Sequence, residues 1–141
     1  MKYLITISAF MFMSVSLLAP DAAADRKYII VDKEAESFRM LWEALKMVES
    51  SNNPYAINHT EQAYGVSQIR QIRLDDYYKR TGTRYTLEDC LHEEVSLEIF
   101  RYYYERFDDW ELAVRRWNGS GPKTFTYLGK IKQELSKGEI T

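Results

Sequence analysis

Glu49 is the residue from which a chemistry can be argued. It sits in the segment Val48-Glu-Ser-Ser-Asn-Asn-Pro-Tyr-Ala56, where a helical pattern runs out at Asn-Asn-Pro, a run that resists helix continuation. Upstream, Phe38, Leu41, Trp42, Leu45 and Val48 recur at spacings of three and four, which predicts a helix over residues 35–49 with one buried stripe. At ~100° per residue, Glu49 projects about 20° from Phe38 and Trp42 and about 40° from Leu45, on the core side of that helix. It also falls in the last turn, where unpaired carbonyls make the local field negative. Withdrawal from water and the helix end both disfavour the carboxylate, so both raise its pKa. A carboxyl kept protonated near neutral pH is what general acid catalysis requires. Position alone favours a glutamate that bends out to solvent at a fraying helix end, since helix ends read from sequence shift by a few residues.

The elements that must position Glu49 are helical. A less regular pattern (Val66, Ile69, Ile72, Tyr77) predicts a second helix over residues 66–79, closed by Thr81-Gly82-Thr83. Thr86 and Asp89 have capping-box spacing, and Leu91, Val95, Ile99, Tyr102 and Arg106 continue one face for about four turns. Asp108 or Asp109 caps a shorter helix through Arg116. The turn Asn118-Gly-Ser-Gly-Pro122 then leads into a last helix striped by Phe125, Leu128, Ile131 and Leu135. No alternating strand pattern follows the N-terminal apolar run. The expected fold class is therefore all-α, mainly α, with about five helices.

At 141 residues the chain fits one domain. Lys2, an apolar run over residues 4–19 and the small residues Ala22-Ala23-Ala24 read as a signal peptide over residues 1–24, cleaved after Ala24. The alternative is a retained N-terminal anchor. The expectation is an exported protein, periplasmic or extracellular, with a linker over residues 25–34, the domain over 35–137 and a short tail over 138–141. The formal charge is -2 with or without residues 1–24, which carry only Lys2 and Asp21. A slightly acidic chain is ill suited to gripping a phosphate backbone, so nucleic acid is not an expected partner. Aromatic residues make up 14% of the chain, with 11 tyrosines, which suits a carbohydrate groove and a small helical core equally well. Cys90, the single cysteine, has no internal disulfide partner and reads as a small apolar packing residue at a helix start. His59 and His92 lack ligand spacing, so no metal site is expected.

Four pieces occur together: Glu49-Ser50-x-x-Asn53-Pro54-x-Ala56, Ala63-x-Gly65-Val66-Ser67-Gln68-Ile69, Trp117-Asn118-x-x-Gly121, and Tyr127 before a closing helix. Their order and separation resemble the lysozyme-like domain of the soluble lytic transglycosylases, over roughly residues 41–133. The family pattern has a serine where Asn58 stands, a tyrosine where Trp117 stands and a methionine where Ser67 stands.

The resemblance implies a lysozyme-like domain with a catalytic groove. Its substrate would be the glycan strand of peptidoglycan, cut at the β-1,4 bond between N-acetylmuramic acid and N-acetylglucosamine. Glu49 would serve as the single acid and base, closing a 1,6-anhydro ring without water, metal or cofactor. Ser50, Asn58, Gln68, Trp117, Asn118 and Tyr127 would be the substrate-binding positions, with the Tyr127 hydroxyl close to the acid. A chain with no added wall-binding module would suit local gap-making for an envelope-spanning assembly. Two other readings stay open. A true lysozyme needs a second carboxylate, for which Glu61 is the candidate, expected to face solvent or to cap the following helix if the enzyme is not a hydrolase. A glycan-binding or assembly protein on the same scaffold needs no chemistry at all.

Overall fold

The computed structural model describes residues 22–138, with side chains from residue 34 onward. Most of the predicted signal peptide, and residues 139–141 of the tail, therefore lie outside the described residues. The fold is mainly helical, as expected, with five α-helices and one small sheet among the described residues. In chain order these are α1 (Ala22–Ser50), β1 (Ile57–Asn58), β2 (Ala63–Tyr64), β3 (Ile69–Arg70), α2 (Gln71–Thr81), a 3-10 turn (Glu88–Leu91), α3 (Glu93–Tyr104), α4 (Trp110–Asn118) and α5 (Lys123–Gly138). No helix in this range is long and apolar enough to cross a membrane.

The stripe of α1 is buried as its spacing predicts: Leu41, Trp42 and Leu45 are in the core, with Phe38 and Val48 at its margin. The helix is longer than expected, because residues 25–34 continue it rather than forming a linker. Its end is set by Ser51 and Asn52, both left-handed (φ 54° and 60°), whose N–H groups return to the carbonyls of Met47 and Lys46. Two of the last-turn carbonyls are satisfied in this way.

The second expected helix starts five residues later than its pattern suggests. Helix begins only at Gln71, and residues 57–70 instead fold back as a three-stranded antiparallel sheet in the order β1-β2-β3. Asn58 pairs with Ala63, and Ala63 in turn with Arg70. Gly65 (φ 77°) and Gln68 (φ 52°) are left-handed, which interrupts any right-handed helix through this stretch. Two-residue strands are too short for alternation to be visible in sequence. Ile72, expected in the apolar stripe, is 77% exposed as a result.

Thr86 and Asp89 do form reciprocal hydrogen bonds, Thr86 N–H to Asp89 Oδ2 at 2.7 Å and Asp89 N–H to Thr86 Oγ1 at 3.2 Å. They close the 3-10 turn, and α3 starts afresh after His92. That restart shifts the phase, so Ser96, Ile99, Phe100 and Tyr103 face inward, while Arg106 lies beyond the helix and is exposed. Asp109 is the cap of α4, accepting from Glu111 N–H at 2.9 Å. On α5 the inward face is Thr124, Tyr127, Leu128 and Ile131. Phe125 is 60% exposed beneath the Arg115 guanidinium. Cys90 is fully buried in the 3-10 turn, and burial pushes its thiol up to about 12.

Phe100 is the hub of the core. Its ring lies 5.5 Å from Trp42, 5.1 Å from Trp117 and 5.9 Å from Phe38, so α1, α3 and α4 converge on one aromatic cluster. Lys46, buried on α1, reaches Glu93 at the start of α3 at 2.8 Å, and the Trp42 indole donates to the same carboxylate oxygen at 3.1 Å. With α1 also packed along α5, the end of α1 is fixed from two sides.

Candidate active site

Glu49, Gln68, Trp117 and Asn118 line one groove of about 510 Å³, together with Glu61, Ile72, Arg70 and Arg73. Four separate stretches of chain supply these side chains: the end of α1, the small sheet, the start of α2 and the end of α4. Of the predicted site residues, these four and Glu61 are thus brought together, and Tyr127 joins them from behind.

Tyr127, buried on α5, donates its hydroxyl to Oε1 of Glu49 at 2.6 Å. Glu49 is half-buried and its pKa is raised to about 7, chiefly by loss of solvent. The Tyr127 hydrogen bond, the positive charge of Arg70 and the Trp117 indole pull in the opposite direction, and the charge of Glu61 adds to the rise. The carboxyl is therefore poised to lose and regain a proton near neutrality. The Tyr127 phenol, next to an acid and out of water, is pushed far above its ordinary range and stays a hydrogen-bond donor.

Gln68 donates its amide nitrogen to the carbonyls of Gly65 at 2.9 Å and Ala56 at 3.3 Å. Both partners are acceptors, so the amide orientation is fixed, with Nε2 committed to the loop. Asn118 ends α4, and Gly119 (φ 133°), the next residue, caps the helix and still lines the groove.

Ser50 and Asn58 are placed differently from what the resemblance implies. The Ser50 hydroxyl donates to Val66 O at 2.9 Å and accepts from Asn53 N–H at 3.1 Å, so it fastens the helix end to the sheet loop. Asn58 Oδ1 accepts from the N–H groups of Thr60 and Glu61, both at 3.1 Å, and shapes the β1–β2 turn. Neither residue lines the groove. Glu61 faces solvent, as expected, and caps no helix; it does so at the groove, which it helps to line, with its carboxylate 3.8 Å from the Arg70 guanidinium.

Arg73 was not singled out by the sequence. It donates to Trp117 O at 2.8 Å and Arg116 O at 3.4 Å, while its guanidinium carbon lies 4.7 Å from the Trp117 ring and 4.4 Å from the Tyr103 ring. One side chain of α2 therefore holds the last turn of α4, where Trp117 and Asn118 sit. A lone arginine in an exposed-looking helix start leaves no signal of this role. Backbone strain marks the site as well. The left-handed non-glycine residues among the described residues are Ser51, Asn52, Gln62 and Gln68, all in the segment that builds one wall of the groove.

Among the described residues, no group of three or more His, Cys, Asp or Glu side chains could hold a metal ion. No protein family, curated protein or solved structure matches the chain.

Proposed function

We propose that this chain is a peptidoglycan lytic transglycosylase, cleaving the β-1,4 bond between N-acetylmuramic acid and N-acetylglucosamine. The observation that carries the reading is the Glu49 carboxyl: half-buried in a groove, hydrogen-bonded by Tyr127 at 2.6 Å and with a pKa raised to about 7. Protonated Glu49 would donate to the glycosidic oxygen as the bond to C1 of the muramic residue breaks. The 2-acetamido group of the same sugar would stabilise the positive charge at C1. Glu49, now a carboxylate, would take the proton of the C6 hydroxyl as O6 bonds to C1. One carboxyl is reset, no water is consumed, and the product is the 1,6-anhydro sugar. The Tyr127, Arg70 and Trp117 contacts favour the carboxylate and so serve the second half of this cycle.

Hydrolysis is the second reading, and one observation favours it: Glu61 shares the groove with Glu49. A second carboxylate could activate water or attack the sugar. Mass spectrometry of sugars released from purified peptidoglycan separates the two. The expected product is lighter by one water than a hydrolytic reducing end. Reducing ends that vanish in Glu61→Gln would replace the proposal with a lysozyme.

A further inference from the structure

Beside the groove, on the far side of Gly119, lies a second cavity of about 370 Å³. Gly119 lines both, so the two spaces share a wall. Two cations, Arg115 and Arg116, come from the last turn of α4; the Gly119–Pro122 turn, Thr124 and Phe125 supply the rest. Arg115 is held in place, its guanidinium carbon 3.6 Å from the Phe125 ring centre and its Nε 3.3 Å from Thr124 Oγ1. Those contacts leave its terminal N–H groups uncommitted by hydrogen bonds among the described residues. Arg116 makes no ion pair with any described residue, although the chain as a whole is acidic at -2. The cavity is therefore a cationic recess open to solvent, with one apolar wall, next to the groove proposed to hold a glycan.

We infer that this cavity is a subsite for the carboxylate-bearing peptide stem attached to the muramic sugar of the bound strand. The inference rests on the glycan-cleaving reading for the identity of the ligand. The chemistry is that of the forked guanidinium, which matches a carboxylate in two parallel hydrogen bonds. The apolar face of Phe125 suits the short alkyl side chains that separate carboxylates along such a stem. Position is the second argument, since a group hanging from a sugar in the groove has only the Gly119 wall to cross. The chain would on this view prefer strands that still bear acidic stems over bare glycan.

The test is an NMR titration of the chain with a synthetic acidic tetrapeptide of the stem, and with the same peptide carrying amidated carboxyl groups. The tetrapeptide should bind saturably and move the backbone amides of residues 119–124. Amidation should weaken it about tenfold or more, and Arg116→Gln, an exposed site that leaves the Arg73 contact to its backbone intact, should do the same. Equal binding of the amidated peptide, equal binding by the variant, no saturation, or displacement by inorganic phosphate at the same concentration would each overturn the subsite. In a second arm, the preference of turnover for stem-bearing over stem-free strands should shrink about tenfold in Arg116→Gln. A wild-type chain that cleaves neither strand would sink the glycan-cleaving reading, and the peptide titration would still decide the subsite.

Discussion

Tyr127 donates its hydroxyl to Glu49 Oε1 at 2.6 Å, joining the first half of α5 to the last turn of α1 across 78 positions of chain. A buried phenol that cannot ionise is a fixed donor, and a fixed donor stabilises the carboxylate against the desolvation that raises its pKa. The pair therefore offsets part of the rise that burial imposes on Glu49.

Tyr127→Phe should move the Glu49 titration upward. A hydrogen bond to a charged group is worth about 1.5–3 kcal/mol, which corresponds to roughly 1–2 pH units. Carbon-detected NMR of the Glu49 carboxyl measures this directly. A midpoint unchanged or lowered in the variant would show that the phenol does not stabilise the carboxylate.

Glu49→Gln should remove most glycan turnover, about 10²–10⁴-fold for loss of general acid catalysis alone, while raising stability at alkaline pH. The folded carboxyl titrates near 7 against an ordinary value of 4.5, so between those values the folded chain holds a proton that the unfolded chain releases. Stability is then full below 4.5, falls as pH rises through 7, and levels off above. The gap of about 2.5 pH units sets an upper limit on the order of 3 kcal/mol. Denaturant melts should show wild type and variant alike at pH 4 and the variant more stable at pH 8. A constant difference across that range would contradict the assigned pKa.

Arg70 and Glu61 act on Glu49 with opposite sign, Arg70 lowering and Glu61 raising its pKa. The alkaline limb of the pH–rate profile should move up in Arg70→Gln and down in Glu61→Gln. On the transglycosylase reading, Glu61→Gln keeps most of its turnover. Shifts in the same direction would mean that the two side chains act through the loop rather than through their charge.

Replacing Arg73 by lysine keeps the charge and loses the planar fork that bonds Trp117 O and packs against the Trp117 and Tyr103 rings. A destabilisation of about 1–3 kcal/mol is expected, with a change in tryptophan fluorescence and a fall in turnover. Wild-type turnover and fluorescence in Arg73→Lys would remove Arg73 from the set of residues that position Trp117 and Asn118.

Two glycines separate close approach from backbone conformation. Gly65 and Gly82 share φ 77°, but a Cβ on Gly65 would sit 1.8 Å from Cys90 O, whereas one on Gly82 meets nothing within 4 Å. Gly82→Ala should cost about 1 kcal/mol, the ordinary penalty of that conformation. Gly65→Ala should cost at least ~3 kcal/mol, because the sheet loop and the 3-10 turn must part. Equal melting temperatures for the two variants would refute this contrast.

The sequence by itself determined the helices with long periodic stripes and the boundaries marked by local chemistry. The stripe of α1, the aspartate cap of α4, left between Asp108 and Asp109, and the reciprocal Thr86–Asp89 pair all depend on residues within a few positions of one another; all three are found, although the pair belongs to a 3-10 turn and α3 starts only at Glu93. Glu49 was legible for the same reason, since its angle to Leu45 and Trp42 follows from helix geometry alone. The tertiary structure decided the rest. Two-residue strands take their pairing from partners across a turn, so the sheet left no periodic trace, and Ser50 and Asn58 proved to be ties within the loop that it organises. Arg73 stacks on rings 30 and 44 positions away, and Tyr127 meets Glu49 across 78. Such contacts are set by how α1, α2, α4 and α5 pack. Local spacing places a side chain on a face, but only packing brings two faces to one carboxyl and takes the water away from it.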